Sequence, residues 1–230
     1  MCYHPAMRKT PIAPDEYYHI YNRGNNKQPI FAEESDWIRF LFLIIYLQSP
    51  ANFNKINRQI LHFVKNRIFN IGQDEFIDIE KHRNVELINF ALMPNHFHLT
   101  VREFKEGGIA AYMQRVLCSH TKYFNTKYNK SGHLFQGPYK AVHIEDNRQL
   151  LYLSTYIHRS PRELSEWKDK EAIYPWSSLC DYTGKGRWGA LLKKDIIISQ
   201  FKNISEYKKF INTSTAKTLK EKLGDDLLID

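Results

Sequence analysis

Short aromatic and β-branched runs alternate along this chain with longer stretches of helical periodicity. Tyr17-Tyr18-His19-Ile20-Tyr21-Asn22 reads as a strand, and Arg23-Gly24-Asn25-Asn26 as its exit turn. Ser35 or Asp36 can cap a helix whose apolar residues Trp37, Phe40, Leu41, Ile44 and Ile45 follow helical spacing. Residues 50–84 read as an insertion, with a short helix over Ile56–Phe69 and then a polar stretch of irregular pattern. A second strand is expected over Val85–Leu92, a turn at Met93-Pro94-Asn95, and a third strand over His96–Arg102. Gly107-Gly108 opens a long amphipathic helix striped by Ile109, Tyr112, Met113, Val116, Leu117, His120, Tyr123 and Phe124. The loop Ser131–Pro138 leads to a fourth strand over Tyr139–Ile144, and Asp146 caps a helix that should end near Pro161.

That order, β-α-β-β-α-β with one further helix, is the split βαβ pattern of ferredoxin-like folds. The expected class is α+β: an antiparallel sheet with helices on one face, plus a C-terminal helix. Such a fold hosts many functions and selects none of them. Beyond Tyr182 the strand signals vanish, and Lys217–Lys222 looks like part of a charged, partly helical tail.

Charge narrows the partners. The 230 residues hold 33 Lys plus Arg against 25 Asp plus Glu, a formal net charge of +8, which favours a polyanion such as nucleic acid. Hydrophobic residues make up 43% of the chain, enough for a real core and against a disordered reading. The cysteines Cys2, Cys118 and Cys180 lie far apart and form neither a disulfide framework nor a zinc spacing, so a reducing cytoplasm is the expected compartment. The longest apolar run, Ile38–Leu47, is interrupted by Arg39 and is too short to span a bilayer, so no membrane partner is expected. No Gly-rich phosphate loop, Gly-x-Ser-x-Gly elbow or His-Glu-x-x-His occurs, which removes the commonest nucleotide, hydrolase and zinc-protease chemistries.

Three features carry candidate chemistry. His96 and His98 share one face of the third strand with Thr100, because side chains alternate along a strand, so both imidazoles can reach one cation. Chance alone yields about 0.4 His-x-His pairs at this histidine content, so the position of the pair straight after a turn is what singles it out. On the helix after Asp146, Leu150, Leu153 and Ile157 form a buried stripe, while Tyr152, Tyr156 and Ser160 share another face. A phenol there can serve as packing or as a nucleophile toward a phosphodiester. Finally, Gly107–Ile144 contains no acidic residue, and within it Arg115, Lys122, Lys127, Lys130 and Lys140 alternate with aromatic residues. Tyr128, Phe135 and Tyr139 in that stretch are candidates for stacking on unpaired bases, since single strands need both cations and aromatic faces.

Five segments in order carry a family resemblance. Met93-Pro94-Asn95-His96-Phe97-His98-Leu99 resembles the metal-binding segment of the HUH-type single-tyrosine transposases, in the REP-associated (IS200-like) branch. Tyr21–Asn25 resembles the first strand and turn of that family, Ser131–Gly137 the loop before the last strand, Tyr156–Pro161 the catalytic-tyrosine helix, and Tyr174–Ser178 a segment just beyond it. The resemblance covers about residues 14–184. It implies one transposase-type domain over 1–184 and a basic extension over 185–230.

It also implies a mechanism. His96 and His98 would bind Mg²⁺ or Mn²⁺, and Tyr156 would attack the scissile phosphate to leave a 5′-phosphotyrosine. The expected partner is single-stranded or hairpin DNA, with a homodimer possible, in a cytoplasmic, nucleoid-associated protein. By the same resemblance Arg23 and His133 join the DNA-binding candidates. Two departures stand out: Ser160 occupies the place of an amide that supplies the third metal ligand, and Pro138 occupies that of an arginine. Two other readings share these residues. One is a replication- or conjugation-type HUH nickase, for which Tyr152 and Tyr156 have a suitable spacing. The other is a non-catalytic hairpin-binding relative.

Overall fold

The computed structural model describes residues 11–51, 56–66, 71–215, 221 and 223. Cys2 and the lysine-rich stretch expected at Lys217–Lys222 fall outside these, apart from residue 221. The elements are β1 (Tyr17–Arg23), α1 (Glu34–Tyr46), α2 (Ile56–Asn66), α3 (Gln73–His82), β2 (Val85–Met93), β3 (His96–Glu103), α4 (Gly108–Lys127), β4 (Lys140–His143), α5 (Asn147–Arg159), α6 (Leu179–Thr183), α7 (Asp195–Ile198) and α8 (Ile204–Thr213). The strands form one sheet in the order β2-β3-β1-β4 with every neighbour antiparallel, which is the split βαβ arrangement expected.

The alternation of β3 divides the molecule. Phe97, Leu99 and Val101 are fully buried on one face, where Phe97 meets Phe40 of α1. His96, His98 and Thr100 point to the other face, toward α5, where the ring of Tyr156 lies against His98. α4 begins where it does because the buried carboxylate of Glu103 accepts from the Gly108 and Ile109 amides at 3.0 and 2.6 Å. A carboxylate at a helix N-terminus meets unpaired N–H groups and the positive end of the dipole. A β-carbon at Gly108 would stand 2.5 Å from the Asn84 carbonyl oxygen, so the residue there must be glycine.

The cap of α1 differs from expectation. Glu33, not Ser35 or Asp36, occupies the N-cap, and Asp36 closes a reciprocal capping box from inside the helix. The irregular polar stretch after α2 is helical as α3, with Ile79 its one buried residue. The segment Tyr174–Ser178 covers the outer edge of β2. Leu92 donates to the Trp176 carbonyl at 2.9 Å, Ser178 donates to that of Phe90 at 2.9 Å, and Ala91 forms a bridge with Ser177. An exposed sheet edge is thereby closed.

Buried hydrogen bonds hold α5 in place. Tyr207 of α8 meets Ser154 and the Nδ1 of His158, each at 2.7 Å, and His158 Nε2 meets Ser178 Oγ at 2.8 Å. Both ring nitrogens are thus partnered without a charge, and burial holds the His158 pKa down at about 3. No helix among the described residues is long and apolar enough to cross a membrane.

Candidate active site

The two-residue turn Pro94-Asn95 sets His96 opposite Met93 and opens β3. It is pinned to the exit of β1 by Gly24 N–H donating to the Asn95 carbonyl at 2.7 Å and Ile30 N–H to that of Pro94 at 2.9 Å. Gly24 permits the close return of the chain after β1, since a β-carbon there would lie 2.1 Å from the Gln28 carbonyl oxygen. The rings of His96 and His98 stand 5.0 Å apart, edge to face. Tyr156 of α5 lies edge-on to His98 at 5.3 Å, between ring centroids, and to His19 of β1 at 6.3 Å. The other tyrosine of that helix, Tyr152, packs its ring against Phe210 of α8 at 5.3 Å.

Electrostatics keep this pair neutral. Burial, reinforced by the Arg23 guanidinium, pushes the His96 pKa down to about 4. His98 is held well below its ordinary range by burial first, then by His19, His96 and Arg23. Hydrogen bonding also selects a tautomer for His96. Asn95 donates its amide Nδ2 to the Lys27 carbonyl at 3.2 Å, so its Oδ1 is the acceptor that faces His96 Nδ1 at 2.7 Å. His96 therefore carries its proton on Nδ1, and Nε2 holds the lone pair. A neutral imidazole with an anchored Nδ1–H is the form in which histidine ligates a metal.

Among the described residues no group of three or more His, Cys, Asp or Glu side chains is close enough to hold a metal ion. The two imidazoles fit a divalent cation that takes its remaining ligands from water or substrate oxygens, and their nitrogen donors suit Mn²⁺ better than Mg²⁺. Ser160 is nearly buried, and its hydroxyl donates back to the Tyr156 carbonyl at 3.1 Å. Its proton is thus committed to its own helix.

The candidate DNA contacts divide into three groups. Arg23 pairs across the sheet with His96, and Tyr21 with both His98 and Lys140, so these cations stand on the sheet face of the histidines. The Lys140 ammonium lies 5.7 Å from the Tyr21 ring centroid. Lys122, Lys130 and His133 are exposed on α4 and the following loop.

Others serve the fold. Arg115 donates to the carbonyls of Ser49 and Ala51 at 2.5 and 2.6 Å. Lys127 is paired with the buried Asp36 at 2.7 Å and with Glu33. Phe135 is buried, with its ring against Phe97 at 6.1 Å, and so offers no face to a base. Tyr128 and Tyr139 are half-buried and pack on the core, and the Tyr128 hydroxyl donates to Asp36 at 2.7 Å.

One residue of the site was missed in the sequence. His19 is fully buried between His98 and Tyr21, and reads in the sequence as one more residue of an aromatic strand.

The fold and this corner define an α+β protein with a neutral histidine pair beneath a tyrosine-bearing helix. Residues 54–160 match the family model described as "Transposase IS200 like", which bears out the resemblance carried by the motifs: the chain is similar to IS200-like transposases. A solved structure described as a REP-associated tyrosine transposase bound to a REP hairpin is 12% identical, with a TM-score of 0.49, covering 81% of this chain and 90% of that one. No curated protein matches the chain at a significant level.

Proposed function

We propose that this protein is a transposase-type enzyme that cuts and rejoins single-stranded DNA, with Tyr156 as its nucleophile. The observation that carries the reading is the edge of Tyr156 against His98 at 5.3 Å, on a helix fixed by the His158 and Tyr207 hydrogen bonds. His96 and His98 would hold Mn²⁺ or Mg²⁺, which when bound supplies polarisation of the scissile phosphate. The Tyr156 oxygen forms a bond to phosphorus while the bond from phosphorus to the 3′ oxygen breaks, and the phenolic proton is lost to solvent as the leaving oxygen gains one. The products are a 5′-phosphotyrosine and a free 3′-hydroxyl. A second 3′-hydroxyl then attacks the same phosphorus and releases the phenol, so rejoining needs no external energy source. Arg23 and Lys140, on the same sheet face as the histidines, would steer and neutralise the phosphates next to the cut.

His96→Ala and His98→Ala should abolish cleavage of a labelled hairpin oligonucleotide in Mn²⁺, with hairpin binding and thermal unfolding close to wild type. Collapse of the fold in both variants would make the pair structural instead. Ser160 favours a second reading, a non-catalytic hairpin-binding protein, because its hydroxyl proton is turned back onto its own helix. DNA binding with no cleavage in either metal would decide for that reading.

A further inference from the structure

We propose that His19 is a positioning residue for the metal pair: its Nε2 accepts the Nδ1–H of His98 and so keeps the His98 lone pair on Nε2. The inference rests on the reading of His96 and His98 as ligands. His19 Nε2 and His98 Nδ1 stand 3.0 Å apart, and the two rings lie nearly parallel, 16° between planes, with centroids 5.2 Å apart. Both rings are buried. One proton lies between these nitrogens. On His98 it leaves Nε2 free to ligate, whereas on His19 it drives the His98 proton onto Nε2 and removes the ligand.

The site already uses the first arrangement for the other ring, since Asn95 Oδ1 can only accept from His96 Nδ1. His19 would do for His98 what Asn95 does for His96, from a strand rather than from a turn. An acceptor on the far nitrogen of a ligating histidine fixes the orientation of the ring and raises its basicity. A buried imidazole is also a costly choice, because its polar atoms lose water and need protein partners, and His19 is fully buried. An apolar β-branched residue would fill that position more simply.

The test uses the full chain with His19→Gln, His19→Leu and His98→Ala, each checked for an unchanged thermal transition. Gln places an amide oxygen near the Nε2 position and keeps the acceptor, while Leu removes it. Without metal, long-range ¹H–¹⁵N spectra of the imidazoles should show His98 protonated on Nδ1 in the wild type and in His19→Gln. In His19→Leu the ring should become a mixture of tautomers. Mn²⁺ titration followed by electron paramagnetic resonance should show binding weakened about 10- to 100-fold in His19→Leu and largely restored in His19→Gln.

A wild-type His98 ring protonated on Nε2 overturns the proposal. So does equal Mn²⁺ affinity in the wild type and His19→Leu when His98→Ala has lost it. Equal affinity in the wild type and His98→Ala overturns the metal reading, and this proposal with it.

Discussion

Replacing Tyr207 by phenylalanine removes one oxygen and tests how α5 is held. That oxygen meets Ser154 and His158 at 2.7 Å each, and all three side chains are fully buried. The variant keeps the ring and its packing against Tyr182 and Phe201 but leaves two buried polar groups short of a partner. Each such group costs about 1–3 kcal/mol, and Ser154 can recover part by turning to a carbonyl of its own helix, so the expected loss is about 2–4 kcal/mol. In a domain of this size that lowers the melting temperature by about 5–15 °C. Urea unfolding followed by circular dichroism measures the difference directly. Tyr207→Phe combined with Ser154→Ala should lose less than the sum of the two single changes, because both remove the same bond. A loss below about 0.5 kcal/mol, in the range of an ordinary surface change, would refute the view that this network anchors the helix carrying Tyr156.

Acid should unfold the protein from a definite side. Burial holds His120 near a pKa of about 4 and His158 near about 3, against 6.5 unfolded. Below pH 6.5 the unfolded chain binds protons that the folded one refuses, so stability is complete above that pH and falls as pH drops. By pH 5 each of these two histidines has withdrawn about 2 kcal/mol, and a urea midpoint unchanged between pH 7.5 and 5 would contradict their burial as neutral rings. Lys140→Ala should lower DNA affinity and reduce the slope of log affinity against log salt by about one, a change absent if Lys140 does not meet phosphate. Phe135→Ala should instead lower stability by about 3–5 kcal/mol, with DNA affinity per folded molecule unchanged.

What could be read in advance follows the range of each interaction. The faces of β3, the stripe of α4 and the Asp146 cap of α5 are local patterns, and each is present. The Glu33–Asp36 box escaped because both residues take part, and the sequence offered Ser35 between them as an equal candidate. α3 escaped because only Ile79 is buried there, which leaves a helix with too narrow a stripe to register as periodic. Charge counting found Arg115 and Lys127 among the basic residues. It could not find the Ser49 carbonyl or the Asp36 carboxylate, which are far from them in the chain and close only after folding. His19 has the same cause: its partner His98 becomes its neighbour only when β1 pairs with β3.

As the proposed nucleophile, Tyr156 should take up DNA covalently. Wild-type protein incubated with a 5′- or 3′-labelled hairpin oligonucleotide and Mn²⁺, then denatured, digested and sequenced by mass spectrometry, should yield a phosphodeoxynucleotide on the peptide containing Tyr156. The adduct should vanish in Tyr156→Phe and persist in Tyr152→Phe. An adduct mapped to Tyr152, or one that survives Tyr156→Phe, would rule out Tyr156 as the nucleophile.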